Sequence, residues 1–195
     1  AECGKRRDEQ APGRRVRFIK PPNTRKTHGG GGVHPAGEGL QPGPALGVVS
    51  GKDATRVSAA DALAHVAGFT IVNEYSLPED SYYRPAVKAK CRDGFCAIGP
   101  ELVPVAQVAD PHQLTVKLHV NGAVVQENTT ANLVRSIPQL IAELSEFMTL
   151  HAGDVLITGT PEGRVDVNPG DQVEVEITGL GRLANTIVAD TGDQA

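Results

Sequence analysis

The sequence predicts an α+β domain that is mainly β, with a folded-over sheet accompanied by two short-to-medium helices. The chain has 195 residues, enough for one domain with a sizeable hydrophobic core. Its 22 glycines and 14 prolines favour many turns and short strands over a helical bundle. Several short runs have strand patterning, whereas only two segments carry helix signals. This combination is typical of sheets folded over one core.

The start of the chain differs in character from the rest. Residues 1–15 are polar, charged and aperiodic, so we expect a flexible lead-in to a single domain over residues 16–195. The first residue is Ala1 rather than Met, and no signal-like apolar stretch follows it. The chain is therefore either processed or a fragment, and we expect a fragment that lacks its natural start.

The strands are predicted from β-branched or alternating apolar runs bounded by turn residues. The Asn121-Gly122 pair predicts a tight hairpin, and the four consecutive glycines at 29–32 predict a flexible loop. The predicted strands cover residues 16–20, 44–49, 69–72, 115–120, 123–126, 155–158, 172–178 and 183–188.

Two segments have helix signals. Ser58 is a suitable N-cap for a short helix over residues 59–66. The longest helix is expected from Thr129 or Thr130 to about Met148, and Pro138 within it predicts a kink or a late start. Apolar residues at steps of three and four predict one core-facing side, comprising Leu133, Ile137, Leu140, Ile141, Leu144, Phe147 and Met148.

Composition argues against several classes of protein. The net charge of −4 lacks the basic footprint of a nucleic-acid binder. Without a long apolar run, no transmembrane helix and no membrane partner are expected. The odd number of cysteines, without metal-ligand spacing, predicts reduced thiols and a cytoplasmic protein.

A basic segment between residues 82 and 99 is the strongest candidate for an anion site. Within nine residues it carries Arg84, Lys88, Lys90 and Arg92, with Asp93 next to them. Guanidinium groups suit carboxylates and amines supply point charges. The alternative is a solvated basic loop on an acidic protein.

Two strand ends add weaker signals. The turn at residues 159–163 presents Thr160 together with backbone N–H groups, which could hold a carboxylate. Glu74 follows Asn73 at another strand end, where a carboxylate could bind a hard cation or simply be solvated. No histidine lies in a HExxH-type motif, and no nucleophile elbow is present.

Taken in order, several segments resemble the fumarylacetoacetate hydrolase (FAH) superfamily over roughly residues 16–190. They read FIKPPNT, GK, AGFTIVNEYS, YYRPAVKAKCRDGF, LSEFMTLHAGDVLITGTPEG and PGDQVEVEITGLGRLANTIV. The resemblance implies a mixed β-sandwich roll that usually forms dimers.

The resemblance also implies Mg²⁺ or Mn²⁺ held by a Glu-x-Glu pair and an Asp. Gly43 and Ala45 stand in place of the Glu pair, and Glu74 takes the place of the Asp. One carboxylate cannot replace three as a divalent-cation cage. We therefore expect metal binding at Glu74 to be weak or absent.

The anion-binding part of the family site has better matches. Lys90 matches a family Lys near metal and substrate, and Thr160 a Thr whose turn contacts the substrate carboxylate. Arg84 and Asp93 lie in the same matching loop. We expect Lys90 and Thr160 to line one pocket, with Lys90 as catalytic base if burial lowers its pKa and Arg84 on the distal carboxylate.

The function implied by the resemblance is isomerisation or decarboxylation of an unsaturated 2-oxo dicarboxylate in aromatic-compound catabolism. One alternative is a non-catalytic partner that has lost its metal site, and another is a fumarylacetoacetate or acylpyruvate hydrolase. A homodimer, or pairing with a homologous FAH-fold half, is expected.

Overall fold

The computed structural model describes residues 18–78 and 86–190. They form two five-stranded sheets packed face to face. The strands are β1 (Arg25–Lys26), β2 (Gly32–His34), β3 (Pro44–Ser50), β4 (Val66–Glu74), β5 (Cys96–Pro104), β6 (Thr115–Val120), β7 (Ala123–Thr129), β8 (Val155–Ile157), β9 (Gln172–Ile177) and β10 (Gly181–Ala189).

The two sheets have different strand orders but the same mixed character. The first has the order β1-β5-β4-β3-β8 and the second the order β2-β10-β9-β6-β7. The edge strand β1 is parallel to β5 and the edge strand β2 is parallel to β10, whereas the other pairs are antiparallel. The predicted mainly-β architecture with two helices is confirmed.

The core lies between the sheets because every second residue of each central strand points inward. The first sheet contributes Leu46, Val48, Phe69 and Ile71, which are all at most 2% exposed. Residues of the second sheet complete the same apolar cluster, including Leu118, Val173, Val175 and Leu183.

The helices are α1 (Val87–Lys90) and α2 (Ile137–Ser145). The prediction that α2 starts at Thr129 or Thr130 is wrong, because Thr130–Asn132 forms only a 3-10 turn. Ser136 and Gln139 form a reciprocal capping box that starts the helix, and Pro138 lies in its first turn. The late start that Pro138 allowed is therefore the observed one.

The buried side of α2 also differs from the predicted one. Ile137, Ile141 and Ser145 are buried, whereas Leu144 is half-buried and Phe147 is 60% exposed. The helix ends before Phe147, so helical spacing no longer carries that ring to the core.

Three local predictions of secondary structure are wrong. Residues 59–66 contain the 3-10 turn Ala62–His65 instead of an α-helix, and the Ser58 hydroxyl bonds the Asp61 carboxylate. Residues 18–20 are not a strand. Gly32, predicted to lie in a loop, begins β2 and pairs with β10. The predicted lead-in at 1–15 lies outside the described residues.

None of the helices in the described part of the chain is both long enough and apolar enough to span a membrane.

Candidate active site

The outer face of the first sheet, turned away from the core, carries a charged cluster at one end of β3 and β4. Pro44 lies opposite Asn73 and Ala45 opposite Val72 in the antiparallel register. The N–H of Glu74 donates to the carbonyl of Gly43 over 2.8 Å. Strand alternation therefore places Gly43, Ala45 and Glu74 on the same face.

Glu74 is the centre of this cluster and is only 3% exposed. Its Oε2 lies 3.1 Å from Arg164 Nη2 and 3.5 Å from Lys90 Nζ. Its Oε1 lies 3.0 Å from Lys20 Nζ, as an ion pair rather than a well-aligned hydrogen bond. We call Glu74 with Lys20, Lys90 and Arg164 the Glu74 cluster.

The protonation of Glu74 follows from these neighbours. Burial raises the pKa of the carboxyl, but attraction to Lys20, Lys90 and Arg164 outweighs it and holds the pKa below its ordinary value. Glu74 is thus a carboxylate at neutral pH, shared among three cations.

Lys90 is the last residue of α1 and is 7% exposed. Its amine donates to Ser76 Oγ over 3.0 Å and lies 5.3 Å from the centroid of the Phe18 ring. The backbone N–H of Leu77 donates to the Ala89 carbonyl and ties α1 to the end of the strand. The solvated-loop alternative is therefore wrong for Lys90, because its side chain enters the cluster.

Lys20 belongs to the site although the sequence reasoning did not select it. Its amine donates to the carbonyls of Lys90 and Phe95, the second at 2.9 Å, besides facing Glu74. It thus ties residue 20 to the basic loop at residues 90 and 95. The signal available in the sequence was a single Lys in FIKPPNT, a segment that was interpreted as part of a strand and as part of the family resemblance, with no role assigned to its Lys.

Arg164 is the second functional residue that the sequence reasoning missed. It follows the turn after β8, in an extended segment whose Val165 and Val167 pack on the core. Alternation then directs Arg164 away from that core. The Gln126 amide of β7 donates to the Pro161 and Glu162 carbonyls and fixes the turn. No spacing rule links an Arg at 164 with a Glu at 74.

Gly43 shows how tightly these groups converge. A Cβ placed on Gly43 would lie 2.4 Å from the Glu74 carbonyl oxygen, 2.9 Å from Thr160 Oγ1 and 3.1 Å from Arg164 Nη2. The Gly43 N–H donates to Asn73 Oδ1 over 2.9 Å. Thr160 and Arg164 therefore occupy the space into which a side chain at 43 would extend.

The predicted site residues have different locations. Lys90 and Glu74 are in direct contact, and Thr160, 5% exposed, reaches the cluster beside Gly43. Asp93 is exposed and accepts a hydrogen bond from Asn23, so its observed contact holds the basic loop in place. Arg84 lies outside the described residues.

The donors present around Glu74 do not suit a divalent cation. Ala45 is buried in a small apolar cluster with Val72 and Cys96, and Gly43 has no side chain. Three cations already surround the one carboxylate that residues 18–78 and 86–190 bring to this point. Hard divalent ions prefer several oxygen ligands, and a metal ion here would have to compete with Lys20, Lys90 and Arg164 for the Glu74 carboxylate.

Cys96 lies opposite Glu74 on β5, at the same end of the sheet. Burial raises the pKa of its thiol to about 11. Cys96 is therefore a neutral thiol at physiological pH and is unsuited to act as a nucleophile.

Comparison with known protein families gives a match that covers most of the chain. The family described as fumarylacetoacetate (FAA) hydrolase, C-terminal, matches residues 1–188. The chain belongs to this family. The resemblance found in the sequence segments is thus confirmed.

Relatives within the FAA hydrolase family are close enough to be informative. The chain is 49% identical over 176 residues to the 4-hydroxyphenylacetate degradation bifunctional isomerase/decarboxylase of Salmonella dublin. That match covers 89% of this chain and 41% of the relative, so the chain spans about two fifths of the relative's length.

Two solved structures share the fold. The 2-hydroxyhepta-2,4-diene-1,7-dioate isomerase from Mycobacterium marinum matches with a TM-score of 0.85 and 32% identity, covering 92% of this chain and 71% of that one. Maleylpyruvate hydrolase from Sphingobium sp. SYK-6, in complex with manganese (II) ion and pyruvate, matches with a TM-score of 0.83 and 32% identity, covering 89% and 64%.

Proposed function

We propose that this chain isomerises or decarboxylates an unsaturated 2-oxo dicarboxylate in the breakdown of aromatic compounds. The observation that carries the proposal is the Glu74 cluster, in which three cations converge on one buried carboxylate at the end of β4. Three cationic donors grouped around one position suit a ligand with several anionic oxygens, because charge-assisted hydrogen bonds are the strong ones. The isomerases and decarboxylases named among the relatives support this class of substrate.

Each side chain has a proposed task. Arg164 and the Thr160 hydroxyl would hold the 2-oxo acid end, since both adjoin Gly43 just before β3. Glu74 would keep Lys90 and Arg164 in place through its shared Oε2. Arg84 remains our candidate for the distal carboxylate, and Asp93 for a supporting role in the same loop.

Lys90 is the proposed proton carrier. In the isomerisation, one proton leaves the enol hydroxyl and one is added to a carbon further along the conjugated chain, so the composition is unchanged. The Lys90 ammonium would deliver the proton to carbon, and the resulting amine would take the proton from the enol oxygen. In the decarboxylation, the C–C bond breaks, CO₂ leaves and the electron pair forms an enolate that the same cations stabilise.

Partners are part of the proposal. The chain spans only part of the bifunctional relative, which supports pairing either with a second copy of itself or with a homologous FAA hydrolase half.

The test is turnover of 2-hydroxyhepta-2,4-diene-1,7-dioate by the protein alone, followed by ultraviolet absorbance of the conjugated enol and by deuterium incorporation in D₂O. We expect conversion by the wild type and by Lys88→Met, whose side chain is 79% exposed. Lys90→Met should lose the conversion and the deuterium incorporation. Equal conversion by Lys90→Met would contradict the proposed role of Lys90.

A second function is favoured by one specific observation, namely the Gly43 and Ala45 positions without carboxylates. A non-catalytic partner would keep the fold while a homologous half performs the chemistry. In that case turnover would appear only after adding the homologous half, and Lys90→Met in this chain would leave the turnover unchanged.

A further inference from the structure

The space beside Gly43 is filled by a guanidinium group instead of a carboxylate. Arg164 Nη2 lies 3.1 Å from the position of a Cβ on Gly43 and 3.1 Å from Glu74 Oε2. The Thr160 hydroxyl lies 2.9 Å from the same Cβ position. A positive fork and a hydroxyl therefore stand where a carboxylate side chain at 43 would have to extend.

The Arg164 guanidinium has unused hydrogen-bonding capacity. Its side chain is 13% exposed, and its Nη1 is buried with no hydrogen-bond partner among the described residues. A buried N–H donor without a partner is costly, so Nη1 favours a ligand with acceptor oxygens.

We infer that Arg164 takes the place of a divalent metal ion in this site and that its guanidinium group binds the 2-oxo acid without any metal. Arginine suits this task because its planar fork accommodates two oxygens of a carboxylate or of an enolate and carboxylate. It remains charged throughout the physiological pH range. Its position is held by Glu74 on one side and by the extended segment at 164–167 on the other.

The inference rests on the proposed function, because it names the cation that binds the proposed 2-oxo acid. It also predicts the result of introducing carboxylates at positions 43 and 45. Glutamates at both Gly43 and Ala45 would not restore a metal site, because a Cβ at 43 already lies 2.4 Å from a backbone oxygen.

The experiment is calorimetric titration of 2-oxoadipate into the protein after EDTA treatment, repeated with millimolar Mg²⁺ or Mn²⁺. We expect binding without metal and less than a twofold change when metal is added. Arg164→Gln should weaken binding about tenfold or more, because a charged hydrogen bond is lost. Arg164→Lys should retain part of the affinity. Arg182→Gln is the matched control, since Arg182 pairs with Glu174 and Glu176 on the second sheet.

Several outcomes would overturn the inference. These are binding of 2-oxoadipate only in the presence of metal, no binding in either condition, or unchanged affinity of a folded Arg164→Gln variant. A thermal melt of each variant identifies a loss of folding, and Arg164→Lys then carries the test. Metal-free binding without turnover of the dienol would refute the proposed function and leave the Arg164 assignment intact.

Discussion

The two faces of the first sheet have different tasks although they are made of alternate residues of the same strands. The inner face of β3 and β4 presents Leu46, Val48, Phe69 and Ile71 to the core. The outer face presents Gly43, Ala45 and Glu74, with charge concentrated at one end. Because the side-chain period of a strand is two, one stretch of sequence can build both the core and the site.

The two faces separate residues that stabilise the fold from residues that are expected to bind a ligand. Inner-face residues make contacts that are apolar and non-directional, so removing volume should lower stability without a specific effect on ligands. At the outer face, charged groups depend on one another through Glu74, so substitutions there should change ligand binding.

The largest effect is expected from the inner face. Phe69→Ala should lower the free energy of unfolding by about 3–5 kcal/mol, because the ring is fully buried between the sheets. Urea denaturation measures this loss. Below the unfolding transition, the affinity of the folded variant for 2-oxoadipate should remain that of the wild type. A large loss of affinity in folded protein would mean that the two faces are not independent.

Glu74→Gln tests the outer face at its centre. The substitution should lower the free energy of unfolding by about 3–5 kcal/mol at neutral pH, because it leaves buried cations without their carboxylate. Glu127→Gln, whose side chain is 55% exposed and pairs with Lys117, should change stability by less than about 1 kcal/mol.

The pH dependence of that comparison has a definite sign. The pKa of Glu74 is lowered by folding, so its contribution is complete above its ordinary value of 4.5 and is lost as pH falls through the lower folded pKa. The difference between wild type and Glu74→Gln should therefore be largest near neutrality and shrink in acid. A difference that grows as the pH is lowered would contradict the charged assignment of Glu74.

Ile141→Ala and Leu144→Ala compare a buried with a half-buried position of α2. Ile141 is 3% exposed, so Ile141→Ala should lower the free energy of unfolding by about 2–5 kcal/mol. Leu144 is only partly buried against the core cluster, so Leu144→Ala should lower it by about 1 kcal/mol. Thermal or urea unfolding measures the two losses of stability. Equal losses would mean that Leu144 is as well buried as Ile141, as the apolar spacing of the helix predicted.

The smallest expected change in stability accompanies a large change in binding. Lys90→Met should leave the free energy of unfolding within about 1 kcal/mol of wild type, because Glu74 retains Lys20 and Arg164. Binding of 2-oxoadipate should weaken about tenfold or more, since a charged contact is lost. Calorimetry with Lys88→Met as the control measures this, and unchanged affinity would remove Lys90 from the proposed pocket.

Periodicity and turn chemistry predicted much of the fold. The Asn121-Gly122 hairpin and the strands β3, β9 and β10 follow from local alternation and turn residues. The extent of α2 did not follow, because the apolar spacing continued through residues that the chain uses for a 3-10 turn before it and an exposed Phe147 after it. Local spacing does not indicate which apolar residues find a partner surface.

The site residues, like the secondary structure, were predicted only in part from the sequence. Charge density, turn composition and a strand-end carboxylate are local features, and they identified the basic segment, Thr160 and Glu74 from the sequence by itself. The family resemblance then singled out Lys90 within the basic segment. Lys20 and Arg164 joined them only in the tertiary structure, which brings positions 20 and 164 to opposite oxygens of Glu74. The physical reason is that an ion pair depends on distance in space, which for residues far apart in the chain is decided by strand register and by the packing of the connecting segments.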